Sequence, residues 1–266
     1  MAAPGDKTAR AWLDAVLTAE GYKPLGAATR ARMAAADGYD PHSYRDANEA
    51  LGTPAAFYRV MGGAEAELEE TACLMRLTWK TSEATAALAA LRADLDADPA
   101  FEESAAAYLE GFDPETHHLF IAYDPESEAP VGYVRWQCAL SPYPEGEEVS
   151  QEGPRLILSV YPELFYVRPA HRDRRIGAAL AGAIQSEVAS HVGDVLAGMA
   201  AAGFPGPLTI VFFAEVESEG GAKLIEAVAT ALDQDLTARH AAGDYGPNVP
   251  PIEVSLEHRE KQTAAP

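Results

Sequence analysis

Residues 164–180 decide how the chain is interpreted, and they read Leu164-Phe165-Tyr166-Val167-Arg168-Pro169-Ala170-His171-Arg172-Asp173-Arg174-Arg175-Ile176-Gly177-Ala178-Ala179-Leu180. An apolar strand runs into a short basic turn, and the turn opens directly into a helix. The first turn of a helix has backbone N–H groups without intrahelical acceptors and the positive end of the helix dipole. Successive N–H groups in the preceding turn add an anion-binding nest. The small residues 177–179 would let an anion approach the backbone. The stretch therefore predicts a phosphate or pyrophosphate cradle.

The alternative interpretation is an ordinary amphipathic helix with a basic first turn. The helix dipole disfavours basic residues at this end, so a basic first turn without a bound anion would be energetically unfavourable.

The net charge of the chain limits the kinds of molecule that it can bind. The 266 residues include 20 Lys and Arg against 41 Asp and Glu, which gives a formal net charge of -21. This balance excludes nucleic acid and anionic membrane surfaces as general partners, because both need clustered basic residues. Yet residues 101–266 contain only 10 basic residues, and four of them lie together: Arg168, Arg172, Arg174 and Arg175.

Other features point to a soluble protein with an ordinary core. Hydrophobic residues make up 48% of the chain, which is enough to bury a substantial core. The two cysteines, Cys73 and Cys138, allow at most one disulfide, and we expect two free thiols in a reducing compartment. Neither a membrane-length apolar run nor a signal-peptide pattern is present, so we expect a cytoplasmic protein. His117 and His118 point to opposite faces of a strand, and we expect no metal.

Residues 1–70, far from the cradle in sequence, show the pattern of short helices. The first of these helices would be capped by Asp6 or Thr8. From residue 72 the predicted order is β-α-α-β-β-β-α-β-α-β, with a long helix from about Arg175 to Met199. This order predicts an α/β (α+β) fold with a mixed sheet and helices packed on it.

The stretch 164–180 resembles the signature of a known family. The stretch is similar to the signature of the GNAT superfamily of acyl-CoA-dependent N-acyltransferases. That signature is Arg or Gln, two residues, Gly, one residue, then Gly or Ala, after a strand ending in Val-x-Pro. The matching segments are 167–169 and 172–177, and the element order over about 72–266 also resembles the family. We therefore divide the chain into a helical N-terminal region of unknown role, 1–70, and a GNAT-like domain, 71–266. The resemblance implies a mostly antiparallel central sheet flanked by helices.

The resemblance also implies a donor site for acetyl-CoA. The loop and the start of its helix would wrap the pyrophosphate of coenzyme A through backbone N–H groups. The backbone around Val167 would pair with the pantetheine arm, which inserts like an extra strand where the sheet splays. The implied donor-binding residues are Val167, Arg172, Asp173, Arg174, Arg175, Ile176, Gly177, Ala178 and Ala179.

Two departures from the family pattern stand out. Arg175 occupies the position of the first Gly of the signature. Shifting the alignment by two residues, to Arg174–Ala179, satisfies the signature but separates it from Val167-Arg168-Pro169. The family also has a Tyr that protonates the leaving thiolate, in the helix after the next strand. In the family an Asn stands at the start of this helix, a small residue three positions later and the Tyr seven positions later. Aligning the small residue on Ala222 puts Glu219 at the position of the Asn and Glu226 at the position of the Tyr. Another tyrosine would then have to serve, or solvent; the candidates are Tyr133, Tyr161 and Tyr166.

The acceptor amine must be neutral to attack, so the reaction needs a proton acceptor. Glu163 is the only acid between Glu152 and Asp173, and its spacing from Val167 predicts that both side chains share a face. We therefore name Glu163 as the candidate base, with Glu215 second; the alternative for Glu163 is a solvated residue at a Pro162-Glu163 bulge. His171 is expected either at a phosphate or in solvent.

The sequence thus predicts an N-acetyltransferase that moves the acyl group directly from the thioester to an amine. The alternative is a catalytically degenerate module of the same fold that acts in binding or regulation through its N-terminal helical region. The acceptor would be a small-molecule or peptide amine, and the acidity of the chain, including loop 144–152, is compatible with a cationic one. A homodimer is also compatible with the sequence.

Overall fold

The computed structural model describes residues 8–25, 74–78, 81–97, 117–124, 127, 129–144, 153–216, 219–246, 249 and 252–260. Four helices and six strands lie in these ranges. The helices are α1 (Ala9–Leu17), α2 (Thr81–Ala97), α3 (Ile176–Ala202) and α4 (Glu219–Ala242). The strands are β1 (Leu74–Thr78), β2 (His117–Tyr123), β3 (Pro130–Tyr143), β4 (Arg155–Val167), β5 (Leu208–Val216) and β6 (Ile252–Glu260).

The six strands form one mixed sheet in the order β1-β2-β3-β4-β5-β6. The first three pairings are antiparallel, and the pairings of β4 with β5 and of β5 with β6 are parallel. Parallel neighbours need a crossover, and α3 and α4 supply the two crossovers. The predicted mixed, mostly antiparallel sheet flanked by helices is therefore confirmed.

One face of the sheet forms the main hydrophobic core with α3. The side chains of Val134 and Trp136 on β3, and of Leu158 and Val160 on β4, are fully buried there. α3 is buried on most of its surface, because α1 and α4 cover the sides that the sheet does not. The helix that begins at the cradle is thus the central helix of the molecule.

The N-terminal helix α1 belongs to this same core. Thr8 caps it, with its hydroxyl accepting a hydrogen bond from the Ala11 N–H at 3.2 Å, as the sequence predicted. Trp12 and Val16 are buried against α3 and the sheet, and Gly198 of α3 allows the close approach of Val16. The predicted boundary near residue 70 therefore does not separate α1 from the sheet.

The opposite face of the sheet is covered in part by α2. Leu119 and Ile121 of β2 alternate with Phe120 and Ala122 of the main core, so they point to this second face. Leu91 and Leu95 of α2 are also buried outside the main core, and α2 contacts β3. We refer to this side as the α2 face.

The sequence also predicts helices near 26–36, 43–51, 54–68 and 98–110 from the spacing of apolar residues. These segments, and most of the acidic loop 144–152, lie outside the described residues. Within the described ranges, every helix fails in length or apolar content as a membrane span.

Candidate functional site

The parallel strands β4 and β5 diverge. They pair from Leu156 with Leu208 to Val160 with Phe212, and their register ends there. Both strands continue, β4 to Val167 and β5 to Val216, each paired on its outer side with β3 or β6. We call the diverging segments, 161–167 of β4 and 213–216 of β5, the fork. The splay that the family resemblance implied is present at the end of β4 that leads into the cradle.

The backbone at the open end of the fork faces its interior. The Arg168 N–H donates to the Val131 carbonyl of β3 at 2.9 Å. Backbone polar groups of successive strand residues point to opposite sides, so the N–H and carbonyl of Val167 point away from β3 and toward the fork. Val167 can therefore offer a strand-like edge to an extended ligand.

The cradle follows through a 3₁₀ turn, Pro169–His171, and ends where α3 begins at Ile176. The first backbone hydrogen bond of α3 runs from the Ala179 N–H to the Arg175 carbonyl at 3.0 Å. The N–H groups of Ile176, Gly177 and Ala178 precede this bond and have no intrahelical acceptor. The predicted set of donors is thus in place at the positive end of a 27-residue helix.

Two residues of the cradle have left-handed backbones: Asp173 with φ 62° and Arg175 with φ 59° and ψ 14°. Gly adopts this region freely, whereas a side chain with a Cβ is strained there. The conformation gives a physical reason for the family's Gly at the position of Arg175. Arg175 thus adopts a backbone conformation that Gly favours, and Gly is the residue at this position in the signature that the sequence resembles.

A concavity of about 320 Å³ lies at the cradle. Its walls come from the cradle, from Val167 and His171, and from Leu224 of α4. A Cβ added to Gly177 would lie 3.8 Å from the Leu224 Cδ2 atom, so a longer side chain there would extend into the space between the two helices. Gly177 therefore keeps the concavity open.

The cradle arginines have different partners. The Arg172 Nε donates to the Val167 carbonyl at 3.1 Å, the same carbonyl that faces the fork. The Arg174 Nη1 lies 2.8 Å from the His171 Nδ1 and 3.8 Å from an Asp124 carboxylate oxygen. An arginine can only donate, so this His171 nitrogen is the acceptor. Arg172, Arg174 and Arg175 are all exposed, and His171 lines the concavity.

Arg168, the fourth residue of the predicted cationic cluster, points elsewhere. Its Nη2 donates to the Ala90 carbonyl of α2 at 2.7 Å, and its Nε lies 2.6 Å from an Asp94 carboxylate oxygen. The side chain is mostly buried, and its charge is compensated by Asp94. Arg168 therefore ties α2 to the end of β4 and contributes less than predicted to the charge of the cradle.

Glu163 lies at a bulge in β4, because Arg135 pairs with Leu164 while Trp136 pairs with Pro162. Its carboxylate forms an ion pair with Arg135 and accepts a hydrogen bond from the Gln137 Nε2. The Glu163 side chain is only 16% exposed, so the bulge was predicted correctly but its solvation was not.

The bulge also reverses the alternation of β4. The Glu163 carboxylate meets Arg135 and Gln137, which point to the α2 face, whereas Val167 packs with the main core. The expectation that Glu163 and Val167 share a face is therefore wrong, since it assumed an uninterrupted strand.

The three candidate tyrosines also lie on the α2 face. The rings of Tyr133 and Tyr166 are buried, with centroids 6.0 Å apart, and burial raises the pKa of Tyr133 well above its usual range. Tyr161 is 38% exposed, and its ring stacks on Phe213 of β5 with centroids 5.1 Å apart. Tyr166, named as a catalytic candidate, lies beside the fork but deep under the surface.

The residues proposed on α4 do not reach the concavity. Glu219 is exposed and pairs with Lys223 at 2.6 Å, one helical turn on. Glu226 is exposed and does not line the concavity, whereas Leu224, two residues earlier, does. The backbone of Glu215 belongs to β5, but its side chain lies outside the described part of the chain.

The described residues contain no cluster of His, Cys, Asp or Glu that would hold a metal ion.

Arg135 and Gln137 are the site residues that sequence reasoning missed. Arg135 is a charged residue inside the apolar strand segment 131–136, and a buried charge needs a partner. That signal predicts an ion pair, although the identity of the partner depends on the register of β3 with β4.

Comparison of the chain with protein-family models gives no match, and comparison with curated proteins gives no relative. Any functional conclusion therefore depends on the geometry of the fork, the cradle and the α2 face.

Proposed function

We propose that the protein is an acyl-CoA-dependent N-acyltransferase of the GNAT superfamily, with acetyl-CoA as the donor. One observation supports this most strongly. The parallel strands β4 and β5 stop pairing at Val160 and Phe212, and the longer arm of the resulting fork leads directly into an anion cradle. An elongated ligand with an anionic end and an amide-containing arm fits this combination.

The cradle would hold the pyrophosphate of the donor. The N–H groups of Ile176, Gly177 and Ala178 supply hydrogen bonds and the end of the helix supplies positive potential. The exposed guanidinium groups of Arg172 and Arg175 lie at the rim. The Arg172 side chain would leave the Val167 carbonyl when an amide of the pantetheine arm donates to it instead.

Glu163 would accept the proton of the acceptor amine. As the amine nitrogen attacks the thioester carbonyl, the C–N bond forms, the C–S bond breaks and the amine proton passes to the carboxylate directly or through water. The contacts with Arg135 and Gln137 hold this carboxylate in place beside the fork. Solvent protonates the departing thiolate, since the α4 side chain at the concavity is the apolar Leu224.

Leu224 also favours a second candidate, a module of this fold that binds coenzyme A without turnover. An apolar side chain at this place cannot protonate a thiolate. The strained Arg175 at the position of the family's Gly points the same way.

Calorimetric titration with acetyl-CoA tests the donor site. Gly177→Asp combined with Arg172→Ala adds a carboxylate to the concavity and removes a guanidinium, so affinity should fall at least tenfold. Gly220→Asp is the matched control, because Gly220 is also the second residue of its helix and its Cβ would meet nothing within 4 Å. Unchanged affinity in the cradle variant would refute the assigned phosphate site, and no binding by the unsubstituted protein would refute both candidates.

Release of free thiol with a panel of amines separates the two candidates. Turnover that depends on an amine supports the enzyme, and binding without turnover on any amine supports the module. A Glu163→Gln variant that retained full turnover with an unchanged pH–rate profile would contradict the role of Glu163.

A further inference from the structure

We propose that the stacked rings of Tyr161 and Phe213 close the inner end of the fork and limit the acyl group of the donor to about two carbons. This inference rests on the proposed acyltransferase function and adds a residue pair that determines donor specificity.

The stack lies at the point where β4 and β5 diverge. Tyr161 and Phe213 each follow directly after the last paired residues, Val160 and Phe212. Their rings are nearly parallel, with an interplanar angle of 14° and centroids 5.1 Å apart, so they bridge the two strands. The stack thus spans the closed end of the fork on the α2 face and forms a barrier there.

The stack lies on the same side of the sheet as Glu163. Tyr161 pairs in register with Gln137, and the side chains of cross-strand partners share a face. Gln137 donates to the Glu163 carboxylate. The barrier and the proposed base therefore face the same space, where the acyl carbon would react.

The length of the donor places its sulfur close to this barrier. An extended peptide advances about 3.3–3.6 Å per residue over three backbone bonds. A pantetheine arm of about twelve bonds between phosphate oxygen and sulfur therefore spans about four residues on the same scale. If the arm starts beside Val167, which lines the concavity, its sulfur comes near Glu163.

Little room then remains for the acyl group. Two residues separate Glu163 from Tyr161, or roughly 6.6 Å of strand. Carbon atoms approach an aromatic ring to about 3.5–4 Å, which leaves about 3 Å beyond the sulfur. An acetyl methyl group lies at about that distance, and each further methylene adds about 1.2 Å. Acetyl therefore fills the available space, and propionyl and longer chains collide with the rings.

Calorimetry with coenzyme A, acetyl-CoA, butyryl-CoA and hexanoyl-CoA tests this without any acceptor. In the unsubstituted protein, hexanoyl-CoA should bind at least tenfold more weakly than acetyl-CoA, because a misplaced methylene in a tight pocket costs this much or more. In Phe213→Ala the ratio should fall to threefold or less, because the cavity accepts the longer chain.

Two control variants isolate the effect of the stack. Tyr161→Phe keeps the ring and should keep the ratio of the unsubstituted protein. Tyr143→Ala removes another exposed tyrosine, 47% exposed at the far end of β3, and should also keep the ratio. If Phe213→Ala does not fold by circular dichroism, Tyr161→Ala provides the same test at an exposed position.

The outcomes distinguish the two proposals. Failure of coenzyme A itself to bind overturns the proposed function and this inference with it. Binding of coenzyme A together with equal affinities for acetyl-CoA and hexanoyl-CoA overturns the acyl limit alone. A tenfold ratio that persists in the variant without the Phe213 ring also overturns it.

Discussion

Arg175→Gly tests the conformational reasoning about the cradle most directly. Arg175 is the residue immediately before α3, and its φ of 59° and ψ of 14° lie in the left-handed region. We expect the substitution to stabilise the protein, although it removes a long side chain at a central helix. Arg175→Ala is the matched control, because it removes the same charge and keeps the Cβ.

The magnitude follows from two opposing terms. A Cβ in the left-handed region costs roughly 1–2 kcal/mol, which Gly avoids. Gly also gains entropy in the unfolded chain, and this destabilises the folded protein by about 0.4–1 kcal/mol. The Gly variant should therefore be about 0.5–1 kcal/mol more stable than the Ala variant. Both lose the unfavourable interaction of a cation with the helix N-terminus, about 0.3–1 kcal/mol, so the charge cancels in the comparison.

Thermal unfolding provides the assay. For a protein of this size, 1 kcal/mol shifts Tm by about 2–4 °C, so the Gly variant should melt about 1–4 °C above the Ala variant. Calorimetry with acetyl-CoA on the same two proteins separates backbone geometry from charge, since both lack the guanidinium. If the Gly variant melted at or below the Ala variant, the inferred backbone strain at this residue would be refuted.

Three further predictions concern buried groups. Burial lowers the pKa of His191 to about 4 from 6.5, so the unfolded chain binds more protons below pH 6.5. Stability should then fall by up to about 3 kcal/mol between pH 6.5 and 4, and His191→Gln should flatten this part of the denaturation profile. Burial raises the pKa of the Cys138 thiol to about 12. In a Cys73→Ser background, alkylation at pH 8 should be at least about tenfold slower in the native than in the unfolded protein. Arg135→Leu should cost about 3–5 kcal/mol in urea denaturation by removing the guanidinium that compensates the buried Glu163 carboxylate, and replacing both residues by apolar ones should recover most of that cost.

The sequence predicted the cradle because every signal for it is local. A strand, a Pro, a basic turn and a helix of small residues follow one another within residues 164–180, and each has a short-range physical consequence. The order of elements was also predictable from periodicity, since the apolar positions of α3 and the alternation in β6 are strong patterns. The ends of the strands were predicted less well. The apolar run predicts a strand over about 131–137, but β3 extends to Tyr143 because β4 pairs with it to that residue.

The polar partners inside the fold could not be predicted in this way. Arg168 is adjacent in sequence to the other cradle arginines, yet its partners on α2 come from much earlier in the chain. No local pattern shows whether a basic side chain turns toward an anion site or toward a distant carboxylate. The packing of α1 into the main core could not be predicted for a similar reason, because a short amphipathic helix does not reveal which core will bury it.

The bulge at Glu163 joins the shape of the fork to its chemistry. A bulge bends its strand and increases the local twist, and this one lies on the arm of β4 that leaves β5. The ion pair with Arg135 and the hydrogen bond from Gln137 fix the bulged residue to β3. The same carboxylate therefore helps to set the divergence of the strands and is the proposed proton acceptor. A loss of activity in Glu163→Ala would leave these roles unresolved, because the substitution removes the anchor and the base together. Glu163→Gln retains an amide oxygen for Gln137 and loses the charge, so its effect on the pH–rate profile bears on proton transfer, while its effect on acetyl-CoA affinity bears on the shape of the fork.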